Sequence, residues 1–281
     1  MKKLLIIILF ILFIINRDNV ILAGLNAYNI WSNNLFPIIF PSLMISDLIL
    51  STNIINYLIK PSEKLFNKLF KTNSYFIYVF IISLIAGTPT NIKSIYNNKQ
   101  LTNDEINKIL SSIILFNPLF VIKYCSLKIY LIIVISNVII LYINRNKYHN
   151  YHNNYISIQN YNFNNSIETN LKIVINILGI LTIFMCLNSI ISTNNIYINT
   201  LIGGLLEVTN GINKVNYYIN NTFFKEIFYL LFLSFGGFSI FYQIKSILKD
   251  TSIDYKYYFL SRFLVFIISI TILILFNSWW T

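Results

Sequence analysis

Long apolar runs separated by short polar breaks make up almost the whole chain, and several are as long as a membrane-crossing helix. Runs at 127–143, 171–191 and 257–276 are nearly uninterrupted. Each approaches the roughly 20 residues that a helix needs to cross a hydrocarbon core. No alternating strands of the kind used by membrane barrels occur. The pattern predicts an all-α, polytopic helical membrane protein.

Other runs are broken in ways that carry information. Residues 4–15, after Met1-Lys2-Lys3, resemble a signal peptide. The only small-residue cleavage position, Ala23-Gly24, is poorly formed, so the run is read as an uncleaved first span with its N-terminus inside. The segment 20–53 contains Pro37 and Pro41 one turn apart, which predicts a bent or broken helix over 24–53. Such a break needs protein or a wet cavity to satisfy the freed backbone; Asn33, Asn34, Ser42 and Asp47 are candidates to line it. At 60–72, Leu65, Phe66, Leu69 and Phe70 oppose Lys64, Lys68 and Lys71, the pattern of an amphipathic helix on a membrane surface.

Two interrupted segments organise the rest. In 74–96 an apolar run stops at Gly87, and Pro89, Asn91 and Lys93 follow. In 223–249 a run stops at Gly236-Gly237, and Ser239, Gln243 and Lys245 follow. Both end in Ile-Lys-Ser-Ile, at 92–95 and 244–247. Thr102 with Glu105 predicts a capping box before the span 106–122, which carries Asn117-Pro118. The run 196–212 contains Gly203-Gly204, Glu207, Asn210 and Gly211. Trp279 and Trp280 sit where an interfacial aromatic belt would anchor the last span.

This order predicts two internal repeats, 1–143 and 171–281, each containing an interrupted or re-entrant helix and joined by the polar Asn/Tyr-rich loop 144–170. Transporters are often built this way, with a site where broken helices meet. Composition agrees: 56% of residues are hydrophobic and 11% charged, against about 25% charged in a soluble domain. The net charge of +11 fits cytoplasmic Lys and Arg rather than nucleic-acid binding, because no soluble domain carries a basic patch. If both interrupted segments cross the membrane, 12 of the 21 basic residues fall inside; if both are hairpins entering from inside, 18 do, with Arg17, Lys123 and Lys128 outside. That count favours two hairpins and makes the repeats parallel.

The candidate binding or coupling residues are those at the breaks: Gly87, Pro89, Asn91, Lys93, Asn117, Pro118, Glu207, Asn210, Gly236, Gly237, Ser239, Gln243 and Lys245. Intramembrane charges are costly and face a cavity or a partner. Lys93 and Lys245 are therefore either solute contacts or lysines snorkelling to headgroups. Glu207 is either a coupling carboxylate or a structural partner for Lys93 or Lys245. Asn117-Pro118 is a coordinating break or a plain kink. His149 and His152 read as a solvated loop, and Cys125 and Cys186 as structural thiols. No metal, cofactor or catalytic constellation is expected, and so no enzyme activity. The expected partners are the lipid bilayer and a small solute or ion.

Several of these stretches resemble the YlbJ-like sporulation integral membrane proteins of spore-forming Firmicutes. That family belongs to the Gate, or nucleoside-recognition, group. The group is also seen in spore-maturation membrane proteins, the permease part of ferrous-iron transporters and nucleoside transporters. The resemblance runs through Gly24-Leu25, Trp31, Pro37 and Phe40-Pro41; Gly87-Thr88-Pro89 with Lys93; 116–120; Gly204 to Glu207 with Thr209 and Gly211; and Gly236 to Ser239 with Gln243. The chain departs from the family pattern at Thr88 and Asn91-Ile92. The resemblance implies a multi-pass, permease-like protein of the cell membrane used in endospore formation, with sporulation membrane partners. A non-transporting scaffold for spore assembly is the alternative.

Overall fold

A computed structural model describes residues 2–52, 54–97, 101–147, 161–191, 193–249 and 251–278; His149, His152, Trp279 and Trp280 lie outside them. Every element among the described residues is helical. In chain order they are α1 (Lys2–Ile15), α2 (Arg17–Ile30), α3 (Phe36–Leu50), α4 (Ile54–Phe70), α5 (Ser74–Ile85), α6 (Thr90–Asn97), α7 (Asn103–Ser112) and α8 (Pro118–Tyr124). There follow α9 (Leu127–Ile143), α10 (Phe163–Ile190), α11 (Ile196–Leu206), α12 (Val208–Tyr218), α13 (Thr222–Phe235), α14 (Gly237–Ile247) and α15 (Tyr255–Ser278). Among the described residues, five helical stretches are long and apolar enough to cross a membrane: Arg17–Leu50, Leu127–Asn146, Phe163–Ile190, Thr222–Ile247 and Tyr255–Ser278.

Of the bent or broken helix expected at Pro37 and Pro41, the broken form does not occur. The chain stays helical from Arg17 to Leu50, with a π turn at Trp31–Leu35. Pro37 has no N–H to give one turn back and its ring crowds that turn; the wider π turn absorbs both faults. The Trp31 indole donates to the Val174 carbonyl at 3.0 Å, fastening this bulge to α10. At 14 residues α1 is about 21 Å long, short of a full crossing.

The amphipathic stretch forms α4. Its second half meets α5 at 104°. Phe66 packs with tilted rings against both Phe70 and Phe80, while Leu65 remains 57% exposed. The Thr102–Glu105 capping box forms as its spacing predicts. Glu105 also accepts from Asn73 at 3.0 Å, and the Asn73 side chain caps α5, so one carboxylate ties two helix starts together.

Four chain breaks define the interior. Helices α5 and α6 fold back on each other: Asn91 Nδ2 donates to Ser83 at 2.9 Å, and Tyr78 shares a hydrogen bond with Ser94 at 3.2 Å. Helices α11 and α12 do the same, with Gly211 on Gly204 and Lys214 on Asn199. By contrast α7 and α8, and α13 and α14, continue past their breaks. The expectation that 223–249 turns back is therefore not met; Thr222–Ile247 is a single long apolar stretch interrupted at Gly236. The second hairpin lies at 196–218, where the sequence reads as one apolar run bearing Gly203-Gly204, Glu207, Asn210 and Gly211. The expected span at 106–122 is fully unwound between α7 and α8 rather than kinked.

The packing is reciprocal. Helix α6 contacts α14, and α12 contacts α8. Helix α7 packs on α9 and α15, α13 on α15 and α9, and α9 on α15. One large apolar core joins these elements; smaller clusters join α2 and α3 to α10.

Candidate functional site

Three of the four breaks line a 40 Å³ cavity, enough for about three waters, and α14 closes it with Ile240 and Gln243, beyond its own break. Its polar lining comes from each broken element: Thr88 from the first hairpin, Asn117 from the α7–α8 break, Glu207 and Thr209 from the second hairpin, and Gln243 from α14. Leu35, Ile39, Phe120, Ile177 and Ile240 supply the apolar wall.

Glu207 holds an extended conformation between α11 and α12 and caps α12 with its own side chain. It accepts from the Asn210 N–H at 2.7 Å and from the Thr209 hydroxyl, both on Oε2. A carboxylate suits a helix start because it meets the unpaired N–H groups and the positive end of the dipole. Glu207 is 4% exposed, and no cation pairs with it among the described residues. Of the two alternatives for Glu207, a partnership with Lys93 or Lys245 does not form among the described residues.

Asn117 is the cap of α8, accepting from the Leu119 N–H at 2.9 Å. Its Nδ2 donates to Ser42 and to the Ala86 carbonyl, both at 3.0 Å. Pro118 occupies the first turn of α8, where its missing N–H costs nothing. The first hairpin leans directly on this break. Gly87 has φ +67°, and a Cβ there would lie 2.3 Å from the Asn117 nitrogen. The Thr88 N–H donates to the Leu115 carbonyl at 2.7 Å, and Asn91 donates to the Ile113 carbonyl at 2.8 Å. Pro89 follows a cis peptide bond.

One contributor was not singled out from the sequence. Arg262 of α15 is fully buried, and its guanidinium donates to the Ser111 and Ile114 carbonyls and to Asn137 Oδ1. The carbonyls freed by the α7 break are thus met by a tethered cation. A fixed positive group at a helix C-terminus is electrostatically favourable. Arginine in the middle of a run that reads as a plain last span was the available signal.

Lys93 and Lys245 part company. Lys93 Nζ contacts both carboxylate oxygens of Asp47, 2.6 Å from Oδ2, and donates to Asn170 at 2.7 Å. Ser166 and Asn170 complete the carboxylate's bonding. This buried pair forms the floor of a separate 290 Å³ pocket beside Tyr96 and Asn165. Lys245 is exposed, near the rings of Tyr242 and Tyr255 at 6.0 and 5.8 Å. Ser239 is buried beside the central cavity's wall without lining it, and its hydroxyl has no partner among the described residues. The remaining glycines serve approach: a Cβ on Gly237 would lie 3.3 Å from the Gly204 and Leu205 carbonyls, so the α13–α14 break rests on the second hairpin. Gly236, at φ +80°, ends α13 in the left-handed conformation. Asn210 contributes its backbone N–H to Glu207 and turns its side chain to another cavity. Cys125 and Cys186 are free thiols.

No family model matches this chain, and no curated protein or solved structure does.

Proposed function

We propose that this chain is a multi-pass membrane transporter of the Gate type, moving a small polar solute or ion past the central cavity. The observation that carries the reading is the convergence of four broken elements on one small, mostly apolar cavity whose few polar groups include a carboxylate with no cation beside it among the described residues. Backbone breaks at membrane depth are tolerated where they line such a cavity. Paired hairpins and broken helices around a buried site are the usual construction of secondary transporters.

The two repeats in this reading differ from those expected from Ile-Lys-Ser-Ile. The hairpin at 74–97 corresponds to the hairpin at 196–218, and the broken helix at 103–124 to that at 222–247. The reciprocal contacts of α6 with α14 and α12 with α8 support this pairing. Three crossings then separate the hairpins, an odd number, so the repeats are inverted rather than parallel. Charge supports it too. Lys2 and Lys3 aside, this topology leaves 14 basic residues on the face of Lys60–Lys71 and only Arg17, Lys123, Lys128, Lys214 and Lys225 on the other. The Lys60 face is cytoplasmic in this reading. Use in endospore formation is proposed on the sequence resemblance.

Glu207→Gln tests the proposal. The amide keeps an acceptor for the cap but removes the charge, so the protein inserts as before while function in a sporulating host is lost. Unchanged sporulation together with normal insertion would overturn it in favour of a scaffold.

A further inference from the structure

Lys214 lies two turns beyond Glu207 on α12, at a second 290 Å³ cavity between α2, α10 and α12. Its Nζ donates to Asn199 Oδ1 at 3.0 Å and to the Asn199 carbonyl at 3.3 Å. No carboxylate pairs with it or lines the cavity among the described residues. The polar lining is amide-rich: Asn19, Asn26, Asn188 and Asn210, with Ser189. Asn188 is 6% exposed, and its Oδ1 is buried without a partner among the described residues. The Asn210 side chain makes no hydrogen bond within the described residues. Leu22, Ala23 and Met185 form an apolar flank.

The cavity therefore presents an ammonium group, several amide donors and one buried acceptor that needs a hydrogen. An anion alone would answer the lysine and leave Asn188 unsatisfied. A group carrying both a negative oxygen and a hydroxyl answers both, since a buried polar atom is costly until it is bonded. The depth also fits. Asn19 is near the start of α2, and Asn188 and Ser189 are at the end of α10. In the membrane reading both ends reach the outer headgroup layer.

We propose that this cavity binds a phosphate ester bearing free hydroxyls, the chemistry of a phosphatidylglycerol headgroup or of free glycerol phosphate. The phosphate meets Lys214, a hydroxyl donates to Asn188 Oδ1, and Leu22 and Met185 border the start of an acyl chain. The equally large pocket at Lys93 is an internal control, because Asp47 already neutralises that lysine. The proposal rests on membrane insertion but not on transport.

The test uses the full-length protein in a neutral detergent. Bound lipid is counted by native mass spectrometry with phosphatidylglycerol or phosphatidylcholine added. The parent is expected to hold phosphatidylglycerol in preference to phosphatidylcholine, and Lys214→Gln to weaken that binding about tenfold, the loss of one charge-assisted contact. Lys245→Gln should leave it unchanged, and Lys214→Arg should retain it, which guards against a folding failure in the glutamine variant. Displacement by free glycerol 3-phosphate assigns the site to a soluble ester; resistance to it, with the same Lys214 dependence, assigns it to lipid. Equal binding of both lipids, or binding indifferent to Lys214→Gln and Lys214→Arg alike, would overturn the proposal. Failure of the parent to float with vesicles would instead overturn the membrane reading.

Discussion

The two hairpins carry a lysine each on their returning arm and treat it in opposite ways. Lys93 of the first hairpin is neutralised by Asp47 of α3 and held by Asn170 of α10. Among the described residues, Lys214 of the second hairpin meets only the amide and carbonyl of Asn199. The acid is also distributed unequally, for the break of the second hairpin is Glu207 and that of the first is Thr88-Pro89. The charge of the first hairpin is thus neutralised from α3, and the hairpin is bolted to its neighbours. The second keeps an unpaired acid at the central cavity and an unpaired base at an outer one. In a low-dielectric interior, charge left without a partner is costly and marks where a ligand belongs. The paired charges mark structure instead.

Breaking the pair is the harshest test of this contrast. Asp47→Asn leaves Lys93 buried without its counter-ion and should destabilise the folded protein by about 3–5 kcal/mol, with the double variant Asp47→Asn/Lys93→Met recovering most of it. Thermal unfolding in detergent measures both. A smaller effect is expected from Gly87→Ala, about 3 kcal/mol, because its Cβ would overlap the Asn117 backbone and φ is +67°. Gly236→Ala shares the positive φ, but the nearest atom is 3.7 Å away, so only the backbone strain of about 1–2 kcal/mol remains. Comparable losses at Gly87 and Gly236 would show that the first hairpin is not wedged against the α7–α8 break. Lys214→Gln should have the smallest effect on stability, about 1 kcal/mol or less, since it removes two hydrogen bonds and no ion pair.

The sequence marks some of this architecture and hides the rest. Gly87, Pro89, Asn117-Pro118 and Gly236-Gly237 announce breaks because glycine and proline act on the local backbone. Glu207 breaks its run although its nearest glycines, Gly204 and Gly211, lie inside the flanking helices: the chain is extended there because the carboxylate caps the helix that follows. Gly204 and Gly211 look like small residues in a span, yet they let α11 and α12 approach each other. The unwound stretch before Asn117 is wider than one proline implies, because its carbonyls are held by Asn91, the Thr88 N–H and Arg262, all distant in sequence. Asp47 was legible as a polar cavity residue; its partnership with Lys93 depends on a packing of α3 against α6 that no local pattern encodes. The Ile-Lys-Ser-Ile match suggested a pairing of segments that the hairpin geometry does not follow.

The proposed transport requires that the cavity between the broken elements be reached from both membrane faces in turn. A chain with Cys125 and Cys186 replaced by serine and with Thr88→Cys introduced tests it, using a membrane-impermeant thiol reagent on sealed vesicles of either orientation. The account predicts labelling of Thr88→Cys from both faces, while Lys249→Cys labels only from the Lys60 face and Asn221→Cys only from the other. Labelling of Thr88→Cys from one face alone, with both controls behaving as stated, would contradict it.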